Sequence, residues 1–293
     1  MSLTSFLTDP KHSDLKIKFK TEFPFPGFTN KDELLAPPLT KNYGIIGTAF
    51  DYLFRFYLQY QNKDKCVVND KWVADVGYEG IKNIWKKNKL EILKLTNRFT
   101  QVKKRHQLFI KKGILTDELI SDTLFLAKLD LYVRSKLIAP DMFVENKLDI
   151  EDLKNLYKVI NSSLLTTDEK CFLNPHFCEG SALVRGADAD FILGDTLIDI
   201  KVTKNLKIKR EYYNQIIGYY ILSLIGNINC EYSGKIIKYV GIYFARHGLL
   251  WKIPVTSLGD ENKIEAFKIW FTNYFKSLKI ERNETIKKNV AKK

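Results

Sequence analysis

Apolar side chains recur at three- and four-residue intervals between residues 44 and 60, at Ile46, Ala49, Phe50, Leu53, Phe54 and Tyr57. At 3.6 residues per turn these positions share one stripe, which predicts a helix with Asp51 as a charge inside a largely apolar element. Residues 72–160 keep a helical pattern without strand-like alternation and predict three or four more helices. The character changes near Cys171. Residues 182–193 and 196–203 read as strands joined by a tight turn at Gly194-Asp195. A helix over 209–224 follows, with Gly226 just beyond it as a stop signal. Residues 238–246 and 249–255 read as a second hairpin, turned at His247-Gly248. A closing amphipathic helix is expected over 263–279, with Ala266, Ile269, Trp270, Tyr274 and Phe275 as apolar members. Residues 1–40 contain Phe23-Pro24-Phe25-Pro26-Gly27 and Ala36-Pro37-Pro38, so an irregular arm across the surface is expected there. The polar tail, 281–293, is expected to fray.

With 45% hydrophobic residues in a chain of 293, there is enough apolar material for a large core, which excludes the disordered class. The formal charge of +13 points to a polyanionic partner, because phosphate neutralisation releases condensed counterions. Much of the excess lies between residues 82 and 112. Lys82, Lys86, Lys87, Lys89, Lys94, Arg98, Lys103, Lys104, Arg105, Lys111 and Lys112 face Glu91 as the only acid there. So one-sided a stretch favours contact with phosphates over a merely solvated face. Cys66, Cys171, Cys178 and Cys230 form no CxxC pair, and all four are expected to be reduced. The first residues lack an apolar signal core, and no uncharged stretch is long enough for a bilayer. The expectation is therefore a cytoplasmic protein with no membrane partner.

The candidate chemistry lies in residues 185–202. Asp199 and Lys201 are two apart in Leu197-Ile198-Asp199-Ile200-Lys201-Val202, so a strand sends both to one face. Asp188 and Asp190 share a face of the preceding segment, and a two-residue turn makes the segments neighbours. Carboxylates and an ammonium then converge. Such a set suits phosphodiester hydrolysis: carboxylates hold Mg²⁺ or Mn²⁺, and the lysine orients water and stabilises charge. In the next helix Gln215 and Tyr219, four apart, share a face, and a polar Gln215 among Tyr212, Tyr213, Ile216 and Ile217 needs a partner. Lys204, Lys207, Lys209 and Arg210 follow directly and are candidates for gripping phosphates.

These residues resemble the PD-(D/E)XK nuclease superfamily and, within it, the RecB-like branch. Asp199-Ile200-Lys201 matches its (Asp/Glu)-x-Lys strand, and Gln215-Ile216-Ile217-Gly218-Tyr219 matches its Gln-x-x-x-Tyr helix. Its Gly-x-x-Asp strand corresponds to Gly186 through Asp190. Asp188 is one residue too near Gly186 and Asp190 one too far. Asp190 is preferred because Asp190-Phe191-Ile192 is the more usual continuation. The resemblance implies Asp190, Asp199, Lys201, Gln215 and Tyr219 as catalytic residues, and Asp190, Asp199 and the Ile200 carbonyl around the metal. The branch's upstream Gly-Thr-x-x-His motif corresponds to Gly47-Thr48-Ala49-Phe50-Asp51, with Asp51 in the histidine's place. Asp51 is then either a further metal ligand or the partner of Arg55, four residues on. The four cysteines are not placed for the iron–sulfur cluster that some members carry.

The resemblance implies one α/β domain over residues 1–293 with a restriction-endonuclease-like core, αβββαβ around a mixed central sheet. The arm is 1–40, the helical insertion 72–160, and the first core strand is near 172–177. The implied activity is metal-dependent hydrolysis of nucleic acid, DNA favoured over RNA. Alternatives are an inactive nucleic-acid-binding module, or a subunit of a larger DNA-processing or defence complex with a protein partner or a second copy.

Overall fold

The stripe from Ile46 to Tyr57 forms a helix, Tyr43–Gln61, whose apolar residues are buried almost completely. The computed structural model describes residues 2–28, 33–68 and 71–290, with side chains through residue 280. Its elements in chain order are α1 (Leu3–Thr8), α2 (Ser13–Glu22), α3 (Tyr43–Gln61), β1 (Cys66–Val68), α4 (Val73–Ile84), α5 (Lys89–Lys112), α6 (Asp117–Ser135), α7 (Lys147–Lys158), β2 (Cys171–Leu173), α8 (Glu179–Leu183), β3 (Phe191–Leu193), β4 (Thr196–Lys201), α9 (Arg210–Gly226), β5 (Tyr239–Phe244), β6 (Leu249–Pro254) and α10 (Glu261–Val290). The fold is mixed α/β. A six-stranded sheet runs β1-β2-β3-β4-β5-β6, parallel at β1/β2 and β4/β5 and antiparallel elsewhere.

Both sheet faces are covered. Phe172, Ile192, Leu197, Val240 and Ile242 meet the apolar sides of α1, α2, α9 and α10. Leu173, Phe191, Ile198 and Tyr243 point the other way, toward α3 and α7. Phe54 of α3 lies 5.6 Å from the Phe191 ring and 5.0 Å from Tyr243, and each such aromatic pair adds about 0.5–1.5 kcal/mol beyond its burial. A third core fills the space between α3 and helices α4–α6. Residues 72–160 hold four helices, and Asn88, Thr116 and Asn146 cap α5, α6 and α7 by accepting from backbone N–H groups of the first turn.

Several expectations need correction. Residues 1–40 are an irregular arm only in part: from Phe23 to residue 40 the described residues form no helix or strand, as expected of the Pro-rich stretches, whereas residues 3–8 and 13–22 are helical. Leu3, Phe6 and Leu7, then Leu15 and Phe19, form two short apolar stripes that dock on α9 and α10, and residues 29–32 lie outside the described ones. Residues 182–193 are not one strand. The end of α8, an irregular loop and the three-residue β3 share that span, because the Ser181 hydroxyl accepts from Phe177 N–H and donates to the Ala187 carbonyl, curling the chain. Gly180 lets α8 press on α9, where an added Cβ would meet the Leu222 carbonyl at 2.4 Å. The first core strand is Cys171–Leu173, and β1, which pairs beside it, had no counterpart in the reading of the sequence. In α10 the buried face is Ile264, Phe267, Phe271 and Phe275, whereas Ala266 and Ile269 are exposed. The helix backbone continues through Val290, past the expected end, and residues 291–293 lie outside the described ones.

The cysteine expectation fails in part. Cys178 and Cys230, 52 residues apart, form a disulfide, while Cys66 and Cys171 are free thiols on facing positions of β1 and β2. Local spacing could not reveal a pair brought together by the packing of α8 on α9. Among the described residues no helix is long and apolar enough to cross a membrane.

Candidate active site

The turn at Gly194-Asp195 sets the site. It pairs Leu193 with Thr196 and Phe191 with Ile198, so the same register carries Asp190, one residue before β3, opposite Asp199. Gly194 holds the left-handed φ of +58° that such a turn needs. The Ile200 N–H donates to Asp190 Oδ2, tying the two acids to one end of the hairpin. Asp199 is 2% exposed. Lys201, on the same face, brings Nζ to 2.6 Å from Asp199 Oδ2 in an ionic contact that lacks directed hydrogen-bond geometry. Its ammonium donates to Gln215 Oε1 at 3.0 Å, and Gln215 Nε2 donates to Tyr219 Oη at 2.9 Å. Strand alternation and helical four-residue spacing thus build one chain of contacts, Asp199–Lys201–Gln215–Tyr219, between β4 and α9.

These groups line a cleft of about 560 Å³. Asp51 enters it from α3. Its Oδ2 accepts from Arg55 Nη2 at 2.6 Å, while its buried Oδ1 has no hydrogen-bond partner. The two readings of Asp51 are therefore not exclusive in geometry: the Arg55 pair forms, and one oxygen is left without a hydrogen-bond partner. Asp188 also lines the cleft, in a backbone bridge with His176, but Asp190 is the acid opposite Asp199. A larger cavity of about 1000 Å³ lies between α9 and α10, lined by residues such as Tyr220, Leu224 and Lys268. Asp51, Asp188, Asp190, Asp199, Lys201, Gln215 and Tyr219 all line the smaller cleft.

The electrostatics is that of an anion-crowded pocket. Burial pushes the Asp190 carboxyl well above the ordinary carboxylate range, and Asp199 and Asp51 push it the same way. Burial also raises Asp199 and Asp51, against the pull of Lys201 and Arg55 respectively. Asp190 keeps part of its surface open to the cleft, so water there tempers the effect without changing its direction. For Lys201, burial opposes the charge, but Asp199 and Asp190 outweigh it and hold the ammonium above its usual range. Burial raises Tyr219 above the usual phenol range, which keeps it protonated. Crowded, desolvated carboxylates with a free buried oxygen fit a hard divalent cation, which would relieve the repulsion.

Some site neighbours carried no signal in the sequence. Asp130 and Arg134 of α6 line the cleft, joined by Arg134 Nε donating to Asp130 Oδ1 at 2.9 Å. They look like any acid–base pair four residues apart on a helix, so nothing in the sequence marks them. Ser2, Thr4 and Ser5 reach the rim from the N-terminal segment, and the Leu3 N–H donates to the Gly186 carbonyl. Other candidates lie elsewhere. Arg210 Nη2 is committed to the Phe19 and Phe23 carbonyls. His247, at the expected turn, is a buried residue that meets the Glu33 carbonyl.

Comparison of the chain with protein-family models, with curated proteins and with solved structures returned no match.

Proposed function

We propose that the protein is a metal-dependent nuclease with a restriction-endonuclease-like core, acting on DNA. The observation that carries this reading is the convergence of Asp51, Asp190, Asp199, Lys201 and Gln215 in one cleft at the end of the β3–β4 hairpin. The order α3, β2, β3, β4, α9, β5 supports the core, with α4–α7 inserted after α3 and β1. Asp190, Asp199 and the Ile200 carbonyl would hold Mg²⁺ or Mn²⁺, with Asp51 Oδ1 as a further donor. When bound, the ion supplies positive charge to the scissile phosphate and acidifies water. Lys201 sits where its ammonium can orient the attacking water and offset charge on the phosphate. Gln215 fixes the direction of that ammonium, and Tyr219 fixes Gln215.

Cleavage of plasmid and single-stranded DNA with and without Mn²⁺ tests the reading. Asp199→Ala is expected to abolish cut product while circular dichroism stays unchanged. Lys201→Ala is expected to lose about 10²–10³ in turnover, the scale for one lost electrostatic stabiliser, with little change in Mn²⁺ affinity. Wild-type cleavage by Asp199→Ala would place the chemistry elsewhere. DNA binding without cleavage under any divalent ion would leave a binding module.

A further inference from the structure

Outside the cleft, His176, Cys178 and Cys230 bring an imidazole nitrogen and two sulfurs within 4.8 Å of one another. His176 Nδ1 is 3.5 Å from Cys178 Sγ. Tetrahedral zinc, with Zn–S of about 2.3 Å and Zn–N of about 2.0 Å, places a sulfur and a nitrogen ligand about 3.5 Å apart. That pair already has the spacing of two ligands on one ion. Only the sulfurs must separate, to about 3.8 Å by the same geometry.

Backbone contacts hold the trio independently of the disulfide. His176 N–H donates to Asn229 Oδ1 at 3.1 Å, and Asn229 N–H donates back to the His176 carbonyl at 2.8 Å. Asn229 immediately precedes Cys230, so the two segments stay clasped when the sulfurs part. Cys178 N–H donates to His176 Nδ1 at 3.3 Å, a bond that the nitrogen's single lone pair gives up when it ligates the ion. Cys230 is exposed, leaving a side open for water as a fourth ligand. Two thiolates and an imidazole select zinc over the hard ions suited to the carboxylate cleft.

We infer that Cys178, Cys230 and His176 form a second metal site, a Zn²⁺ site available when the disulfide is reduced. In the reducing step a dithiol gives two electrons and two protons: the S–S bond breaks, two thiols form, and the dithiol closes to its own disulfide. Zinc then binds the two sulfurs and His176 Nδ1, and the two thiol protons pass to solvent. Backbone contacts join the site to the loop that carries Asp188 and Asp190. His176 bridges Asp188, and Asn174 N–H donates to the Asp190 carbonyl, so zinc occupancy and disulfide formation hold the same loop in alternative ways.

The test uses the full chain, reduced with a dithiol, desalted without oxygen and titrated with Co²⁺ as a zinc surrogate. A sulfur-to-cobalt charge-transfer band, which carboxylates cannot produce, is expected to saturate at one equivalent and to vanish when Zn²⁺ is added. The oxidised protein, Cys178→Ser and Cys230→Ser are each expected to lack it. His176→Ala keeps the disulfide, so its folding is checked in the oxidised form. After reduction it is expected to bind Co²⁺ more weakly by at least the ~10–100-fold typical of outer-shell losses. The assignment is overturned by a reduced protein without the band, by a band that survives Cys178→Ser but disappears in Cys171→Ser, or by a His176→Ala titration identical to wild type.

Discussion

Asp190 shows most clearly the electrostatic cost of crowding acids in the cleft. Its carboxyl is raised by burial, by Asp199 and by Asp51, so the metal-free folded chain holds a proton that the unfolded chain releases at lower pH. The native state then binds more protons than the unfolded one above the ordinary carboxylate range, and stability falls as pH rises through that window. Asp190→Asn removes the charge while its side-chain oxygen can still accept from Ile200 N–H. In EDTA near neutral pH it is expected to be more stable than wild type by about 0.5–2 kcal/mol, with a flatter pH dependence of melting and no cleavage. A variant less stable than wild type at every pH would show that Asp190 serves the fold. Asp51 separates differently, since Arg55 satisfies one of its oxygens only. Asp51→Asn is expected to weaken Mn²⁺ in titration calorimetry and to slow cleavage together. Unchanged Mn²⁺ affinity with full activity would leave Asp51 as the Arg55 partner alone.

At the scale of elements, readability followed local pattern. The α3 stripe, the Gly194-Asp195 turn and the Asp199-x-Lys201 spacing are encoded within a few residues each, so the Asp190–Asp199 pairing could be read from the sequence. The segment before Asp190 could not. Its curl depends on Ser181 reaching Ala187 and on Gly180 meeting α9, contacts across loops and between elements. The α1 and α2 stripes were present but short, and the prolines after Phe23 drew the reading toward an irregular arm. Helix α5 adds a finer correction. Arg98 and Arg105 are committed to the buried Asp122, and Lys103 to Asp75, acids that lie on neighbouring helices rather than in the stretch itself. Lys86, Lys87, Lys104, Lys111 and Lys112 are exposed. Changing these lysines to glutamine is expected to flatten the log-affinity versus log-salt slope on duplex DNA by up to about 0.9 per lost phosphate contact. Arg105→Gln is expected to lower stability without that signature. An unchanged slope in the lysine variant would make the α5 surface a solvated face.

For the whole molecule, a buried ion pair helps to join the sheet, α7 and the N-terminal segment. Arg246, just after β5, is 1% exposed and faces Asp152 of α7, which is fully buried. Nη1 and Nη2 reach the two Asp152 oxygens at 2.7 and 3.0 Å, a two-pronged geometry that fixes orientation as well as distance. Nη1 also donates to the Ala36 carbonyl, and the Arg246 carbonyl accepts from Leu35 and Ala36 N–H. Neither residue lines the carboxylate cleft. The charges that integrate the fold are thus distinct from those of the cleft, and the two sets should separate by mutation. Arg246→Met leaves a carboxylate buried without its partner and is expected to cost about 3–5 kcal/mol in urea unfolding. Adding Asp152→Leu removes the stranded charge and is expected to recover much of that loss, because an apolar pair of similar volume is often no worse than a buried ion pair. Mn²⁺ affinity of the folded double variant should match wild type. A double variant as unstable as Arg246→Met would show that the guanidinium's bond to Ala36, rather than the pair with Asp152, holds the N-terminal segment to the sheet. A loss of Mn²⁺ binding would show that the cleft depends on that attachment.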